Sequence, residues 1–429
     1  MCTIRPLAAI RYSTDRGSDL SSRLSPPYDV LEEHDKADLL ARDERNFVAL
    51  DLPWVPAKTA GPPAVYEAVQ ARMQQWLAEG TLIRDREPAL YVYHQAYRHA
   101  GHDYLRKMFF ARLKLEPFGQ GRVFPHEQTF GGPKEDRLML TRATRANLSP
   151  IFGLYQDADG AVTHRLDEAI GHQPPLASGT LDGVENRLWA VRSEAVVAAV
   201  VKLMESRPVF IADGHHRYGT GLLYRDWLAT RRGPLAEDHP ANYVLCVLCA
   251  MEDPGLLILP THRILPGVKI EPAFFKEDRQ VEISHLLVDG PEQVPEALAR
   301  FGPQALGMFT SATDGYFMLR PRDPHLLHAL TPDRSPAWRK LALAFLHAYL
   351  LERAVVPRLC GGRSPEIHYL RSATEAVEEA RRSAGSAFLM QATTMAELRD
   401  VCAAGDLMPQ KSTFFYPKLA SGLIINPLE

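Results

Sequence analysis

Apolar positions along this chain alternate between helical spacing and the period of about 2 that marks strands, and the alternation predicts a mixed α+β protein. Tyr66, Val69, Met73, Trp76 and Leu77 share one helical face, and Gly80 ends that helix. Residues 90–97 and 108–115 are rich in β-branched and aromatic side chains, with His99-Ala100-Gly101-His102-Asp103 suited to the turn of a hairpin. Further strands are expected at 241–251, 256–259, 281–288, 305–310 and 315–319, and a long helix at 338–355. Thr394-Met395-Ala396-Glu397 has capping-box spacing before a helix that Gly405 closes, and 414–425 reads as a last strand region. Two regions are expected, an α+β part over 1–205 and an α/β part over 206–429, unless they interleave as one unit.

The sharpest change of pattern falls within 208–227. Pro208, Val209, Phe210 and Ile211 form a buried-strand run, and Tyr218, Leu222, Leu223 and Trp227 follow at helical spacing. Between them stand Asp213-Gly214-His215-His216-Arg217, which places Gly214 at a strand-to-helix turn. The first N–H groups of a helix lack intrahelical acceptors, the helix dipole is positive there, and glycine removes the Cβ that would keep a phosphate away. Arg217 can add a guanidinium fork. The run therefore predicts an anion site.

Composition narrows the field. With 46% hydrophobic and 24% charged residues over 429 positions, the chain can bury a large core, and disorder is not expected. A net charge of -3 carries no bulk basic field, so neither nucleic acid nor an anionic membrane is an expected partner. No apolar stretch reaches the ~20 residues of a spanning helix. Five cysteines without a framework spacing, and no secretory pattern at the start, point to a reducing cytoplasm. Cys246 and Cys249 lie inside an apolar strand run and read as buried side chains, and no HExxH pair is present.

Three further constellations carry chemistry. Ser25-Pro26-Pro27-Tyr28-Asp29-Val30 is stiffened by its prolines and can present Tyr28 to a substrate and Asp29 as a base; the competing reading makes Asp29 a cap of a helix over 32–40. His126 through Arg137 combines His126 and Glu127 with Gly131-Gly132-Pro133 and then Lys134, Asp136 and Arg137 at a helix start. Cations there oppose the helix dipole by roughly 0.3–1 kcal/mol, which an intervening anion would explain. Lys411-Ser412-Thr413, ahead of an aromatic strand, offers an ammonium and two hydroxyls to a phosphate or carboxylate. Thr261-His262-Arg263 could line a site at a strand end, or His262 could be a structural histidine.

The strings SPPYDVL, HEQTFGGPKEDRLMLTRATRANLSPIFGLY, IADGHHRYGTGLLYRD, ANYVLCVLCAMEDPGLLILPTHR and MPQKSTFFYPKLASGLII together resemble the domain-of-unknown-function 1015 family. The Asp-Gly-His-His-Arg string is also similar, more distantly, to the signature of the partition-protein-B and sulfiredoxin superfamily, in which a Gly-x-x-Arg turn binds nucleotide phosphates. That resemblance implies a partition-protein-B-like nucleotide-binding core elaborated by additional sheets and helices. Sulfiredoxin chemistry would want a cysteine in the turn, where His215 and His216 stand. The partition proteins add a DNA reader that this chain does not show. The free-serine kinases of the superfamily need only a nucleotide, a hydroxyl substrate, a carboxylate base and the phosphate turn. Family members often carry glutamate where this chain has Gly219.

The resulting expectation is a cytoplasmic phosphotransferase that uses ATP or ADP with Mg2+ to phosphorylate a small hydroxyl metabolite, serine or a related amino acid. Asp213, Gly214, His215, His216 and Arg217 would hold the nucleotide phosphates, with Lys134 and Arg137 neutralising the transferred group. Glu127 or Asp29 would take the hydroxyl proton, with His215 as a further catalytic group, and Tyr28, His126, Lys411 and Ser412 would face the substrate. The alternatives are a regulatory protein that binds nucleotide without turnover and a hydrolase that activates water.

Overall fold

The computed structural model describes residues 2–14, 19–127 and 132–429, and they fall into two compact units. The first unit joins residues 1–257 to the segment 417–429, and the second comprises residues 258–416. A boundary at 205/206 would fall between the helix Glu194–Met204 and the strand Val209–Asp213, both within the first unit.

Among the described residues, nine strands form the main sheet of the first unit. Its spatial order is Val123–Phe124, Val209–Asp213, Ile151–Tyr155, Tyr243–Ala250, His102–Lys114, Leu90–His99, Val184–Val191 and Ala177–Leu181, with Ile4–Arg5 added against His102–Lys114. The expected hairpin is present and longer than its apolar core, pairing His99 with His102 across Ala100 and Gly101. Both turn residues are left-handed, with φ of 48° and 83°, as a two-residue turn between twisted strands requires. Tyr243–Ala250 is buried at every position because both of its faces are covered, so its run reads as continuous rather than alternating. Cys246 and Cys249 are buried in that strand, and burial pushes both thiols well up.

The core of this unit gathers Ile4, Leu113, Ile151, Val209, Ile211 and Val244 from the sheet. Val162 and Leu166 of the helix Ala161–Ile170, Val200 and Met204 of Glu194–Met204, and Tyr218 of His215–Arg232 pack onto it. The second unit is built on six antiparallel strands, ordered Val281–His285, Gly315–Pro321, Leu306–Thr310, Ser386–Leu389, His262–Leu265 and His368–Leu370. Ala373, Ala376, Val377 and Ala380 of the helix Ala373–Arg382 fill its core. The class is therefore mixed α+β.

Two expected elements differ. The helix expected at 338–355 is interrupted once, where Leu341 adopts an extended ψ of 135°: the short Pro336–Arg339 precedes it, and a continuous helix follows, α-helical over Ala342–Phe345 and π-helical over Leu346–Val355. The expected strand region 414–425 contains only Phe414–Tyr416, for Pro417 has no N–H to offer a ladder. From there the chain pairs at single bridges, Ser421 with Ser25 and Ile425 with Ile10. Among the described residues, no helix is long and apolar enough to cross a membrane.

Candidate active site

The site begins where the strand Val209–Asp213 ends. Its register against Ile151–Tyr155 shifts between Ile211 and Asp213, and Gly214 then takes φ +89° before the helix His215–Arg232. A Cβ on Gly214 would lie 3.0 Å from Arg217 Nε and 3.1 Å from Ile151 Cγ2, so glycine is required here by both conformation and space. Gly214 supplies no side-chain cap, which leaves the first turn of an 18-residue helix to find acceptors elsewhere. Tyr218 N–H makes the first intrahelical bond, to the Gly214 carbonyl at 2.9 Å.

Arg217 folds back over this turn, donating to the Pro150 carbonyl and, at 3.3 Å, to Asp213 Oδ1. The other carboxylate oxygen, Oδ2, accepts from Lys418 Nζ at 2.6 Å. Burial alone would push the Asp213 carboxyl up, but the Lys418 ammonium and the Arg217 guanidinium outweigh it and hold the group below the ordinary carboxylate range. Burial disfavours the charge of Arg217, and Asp213, Asp29, Tyr28 and Asp51 more than restore it.

His215 is buried, and its Nε2 accepts the backbone N–H of His126 at 3.2 Å. The two rings meet edge-on with centroids 4.6 Å apart. Burial, followed by the neighbouring His126, lowers the His215 pKa to about 3, so the ring is a neutral acceptor. His126 Nδ1 lies 2.5 Å from the Ile211 carbonyl, which can only accept, so the proton is on Nδ1 and Nε2 faces Glu127 Oε1 at 3.6 Å. His216 is half-buried, with its carbonyl accepting the Thr220 hydroxyl at 2.8 Å. The loop residues Gln128–Gly131 lie outside the described residues. Beyond them the helix Gly132–Thr144 sends the Lys134 side chain along Gly219, where an added Cβ would stand 3.2 Å from Lys134 Cε and 3.6 Å from Nζ. Gly219 thus makes room for an ammonium.

Tyr28 and Asp29 lie in a short 3-10 turn, Tyr28–Val30, that follows Pro27. The helix Glu33–Arg42 is capped by Glu32 and Asp35, whose Oδ2 accepts the Glu32 N–H at 2.8 Å, so Asp29 is not its cap. Asp29 is half-buried and makes no hydrogen bond or ion pair among the described residues. Tyr28 is buried beneath the Arg137 guanidinium, 3.8 Å from its ring centroid, and burial pushes the phenol up to about 12.

Arg137 is engaged inward. It reaches Asp136 Oδ2 at 2.7 Å through Nε, and the Asp51 carbonyl and Oδ1 at 2.6 and 3.2 Å through one terminal nitrogen. Asp51 also accepts from Ser149 at 2.5 Å, while Asp136 accepts from the Tyr66 hydroxyl at 2.7 Å. Burial raises the Asp51 pKa despite Arg137 and Ser149. The apparent misplacement of Arg137 at a helix start is thereby explained by internal carboxylates rather than by an awaited anion. Beside this network a cavity of about 30 Å³, bordered by Asp51, Thr141, Ser149, Arg217 and Thr220, has room for water and not for a nucleotide.

Tyr28, Asp29, His126, Glu127, Lys134, Arg137, Asp213, Gly214, His215, His216 and Arg217 all belong to the first unit, where His126 meets His215 and Glu127, Tyr28 meets Arg137, Arg217 meets Asp213 and Lys134 lies beside Gly219. Lys411 and Ser412 belong to the second unit. There Lys411 has a left-handed φ of 57°, its carbonyl and that of Gln410 accept from the buried Arg263 at 2.8 and 3.0 Å, and Ser412 donates to the Pro409 carbonyl. His262 is a structural histidine, accepting the Met390 N–H at 3.0 Å. Lys418 is the site residue that sequence reasoning passed over, although it lies in the same string, MPQKSTFFYPKLASGLII, as Lys411. Pro417, which releases the chain from its strand immediately before Lys418, was the available signal. Among the described residues, no three His, Cys, Asp or Glu side chains gather as a metal site.

These features define a mixed α+β protein in which one strand of the main sheet runs through a glycine into a helix, at a turn held by an arginine, an aspartate and a lysine. The chain belongs to the family described as protein of unknown function DUF1015, whose model matches residues 4–344. No curated protein matches its sequence. Among solved structures it is similar to a free serine kinase in complex with AMP, at 11% identity and a TM-score of 0.34 over 72% of this chain and 98% of that one. It is also similar to a conserved hypothetical protein from Pyrococcus furiosus, at 12% identity and a TM-score of 0.33 over 71% and 92% of the two chains. For SbnI with C-terminal truncation from Staphylococcus aureus the corresponding values are 12%, 0.33, 72% and 84%.

Proposed function

We propose that the turn at Asp213–Arg217 binds the phosphates of a nucleotide and that the protein transfers a phosphoryl group to the hydroxyl of a small metabolite. The observation that carries this reading is the glycine-opened start of the helix His215–Arg232, with Arg217 folded over it and the half-buried carboxylate of Asp29 close enough to favour the Arg217 charge while making no hydrogen bond or ion pair among the described residues. Phosphoryl transfer depends chiefly on positioned donors and charge, which such a turn supplies. The substrate oxygen forms the new P–O bond, the bridging P–O bond to the nucleotide breaks, and the hydroxyl proton passes to Asp29 or Glu127. His215, neutral and engaged with His126, fixes the turn. Arg137 acts by holding Tyr28 beneath the loop that carries Asp29. Lys134, running along Gly219, is the cation for the transferred group. Mg2+ would arrive on the nucleotide phosphates, with Asp29 as the carboxylate open to it, and would neutralise their charge. The resemblance to free-serine kinases sets serine or a related amino acid as the first substrate to try, and ATP and ADP as donors.

The test is a titration with ADP, and turnover with ATP or ADP over a panel of hydroxyl metabolites read by mass spectrometry. Arg217→Ala should weaken nucleotide binding by about 1.5–3 kcal/mol, the scale of hydrogen bonds to a charged group. Glu127→Gln or Asp29→Asn, whichever removes the base, should keep nucleotide binding and lose ~10²–10⁴ in turnover. Unaltered affinity in Arg217→Ala refutes the phosphate turn, and full turnover in both carboxylate variants refutes a protein base.

A further inference from the structure

Lys418 is fixed in place more firmly than an ordinary ion pair needs. Its backbone is held by residues of the central hairpin. Arg106, fully buried, donates to the Pro417 carbonyl at 2.6 Å and to Gln95 Oε1, and its guanidinium lies 5.2 Å from the Phe152 ring centroid. Gln95 Nε2 donates to the Lys418 carbonyl at 3.1 Å, and the Tyr93 hydroxyl accepts the Ala420 N–H at 3.3 Å. Taking an arginine out of water costs several kcal/mol before its contacts offset it. The pair this scaffold delivers, Lys418 to Asp213, is open on one side: the two side chains keep 26% and 23% of their exposure. Lys418 is the leading cation that holds the Asp213 carboxyl down, and about a quarter of its own side chain still faces solvent. Arg217, four residues along the chain in the first turn of the helix, also pairs with Asp213. Of the two cations on that carboxylate, Lys418 keeps 26% of its side-chain exposure and Arg217 10%, so the lysine is the one a ligand reaches more readily.

We infer that Lys418 is a ligand-binding cation of the phosphate turn, parked on Asp213 in the free protein and shared with a phosphoryl group when nucleotide binds. This rests on the nucleotide reading above and adds a residue to it. Asp213 then has a definite part: it keeps the ammonium charged and aimed at the helix start, and its own charge is offset by Arg217 while Lys418 turns to the ligand. The ammonium supplies a compact point charge where Arg217 supplies a planar fork, so the two cations address different oxygens.

The test measures ADP and inorganic pyrophosphate binding by calorimetry in the wild-type protein, Lys418→Ala, Asp213→Asn and the double variant, with the exposed Lys202→Ala as a control for loss of one positive charge. Lys418→Ala should weaken both ligands by tenfold or more, a drop of about 1.4 kcal/mol. The double variant should stay as weak relative to Asp213→Asn. If Lys418 served only to neutralise Asp213, removing the carboxylate would make the lysine dispensable, and the double variant would bind like Asp213→Asn. That outcome, or wild-type affinity in Lys418→Ala, overturns the assignment and leaves the phosphate turn standing. Wild-type protein that binds neither ADP nor pyrophosphate overturns both. Circular dichroism of each variant identifies any that has lost its fold, and Lys418→Arg, which keeps the charge and the scaffold contacts, should recover part of the affinity in the folded protein.

Discussion

Replacing Gly214 by alanine should damage the first unit far more than one added methyl group suggests. Two costs combine. A residue with a Cβ pays ~1–2 kcal/mol to occupy the left-handed conformation that φ +89° demands. The new Cβ would also lie 3.0–3.1 Å from the Arg217 guanidinium and from Ile151 Cγ2. Ile151 is fully buried in the sheet, so Arg217 is the group that must move, weakening its bonds to Pro150 and Asp213. With hydrogen bonds to charged groups at ~1.5–3 kcal/mol, partial loss brings the expected destabilisation to about 2–4 kcal/mol. Gly219→Ala is the internal control: it lies mid-helix, its Cβ meets only the flexible end of Lys134, and alanine favours a helix over glycine by roughly 0.5–1 kcal/mol. Urea unfolding followed by tryptophan fluorescence suits the comparison, since Trp54, Trp76, Trp189 and Trp227 belong to the first unit and only Trp338 to the second. Gly214→Ala within about 0.5 kcal/mol of wild type, below the strain any left-handed alanine carries, would refute the argument.

Two other perturbations test the electrostatics. His215 has its pKa lowered to about 3, chiefly by burial, so between about pH 6.5 and that value the unfolded chain binds a proton the folded chain refuses, and stability falls as pH drops. His94, His262 and His347, each lowered to about 4, act in the same direction. Asp213, whose pKa is depressed, loses its contribution only at more acidic pH. His215→Gln should therefore make the fall in stability between about pH 6 and 4.5 shallower, by up to ~1.4 kcal/mol per pH unit, and an unchanged slope would show that the ring is protonated in the folded state. Arg137→Met should destabilise the unit by about 3–5 kcal/mol, because it strands Asp51 and Asp136 in the interior. Adding Asp51→Asn should recover part of that loss, and denaturation showing no recovery would mean that Arg137 acts through its packing on Tyr28.

What the sequence made legible is what neighbours along the chain decide. The Ala100-Gly101 turn, the Thr394 capping box and the glycine between Asp213 and His215 are each set by a few consecutive residues, and each stands where the pattern puts it. The Arg137 to Asp51 pair joins positions 86 apart, and Lys418 reaches Asp213 across 205. No periodicity encodes such partners, so Arg137 looked like a cation in search of an anion and Lys418 like part of a strand. The interruption at Leu341 was hidden for a different reason: apolar spacing reports where side chains recur, and a single extended ψ leaves that spacing nearly intact.

The discontinuity of the first unit has a consequence for the order in which the molecule is made. Residues 1–257 emerge first, all 159 residues of the second unit follow, and only then does the segment that carries Lys418 appear. Throughout that interval Asp213 has Arg217 but not its lysine, and Arg106 is without the Pro417 carbonyl it will cap. Closing so long a loop adds little extra entropy, since each doubling of length costs only ~0.6 kcal/mol. The delay is one of sequence order: the nascent sheet must keep a vacant seat while the whole second unit is made, and the Lys418 contact that completes the site can form only after it.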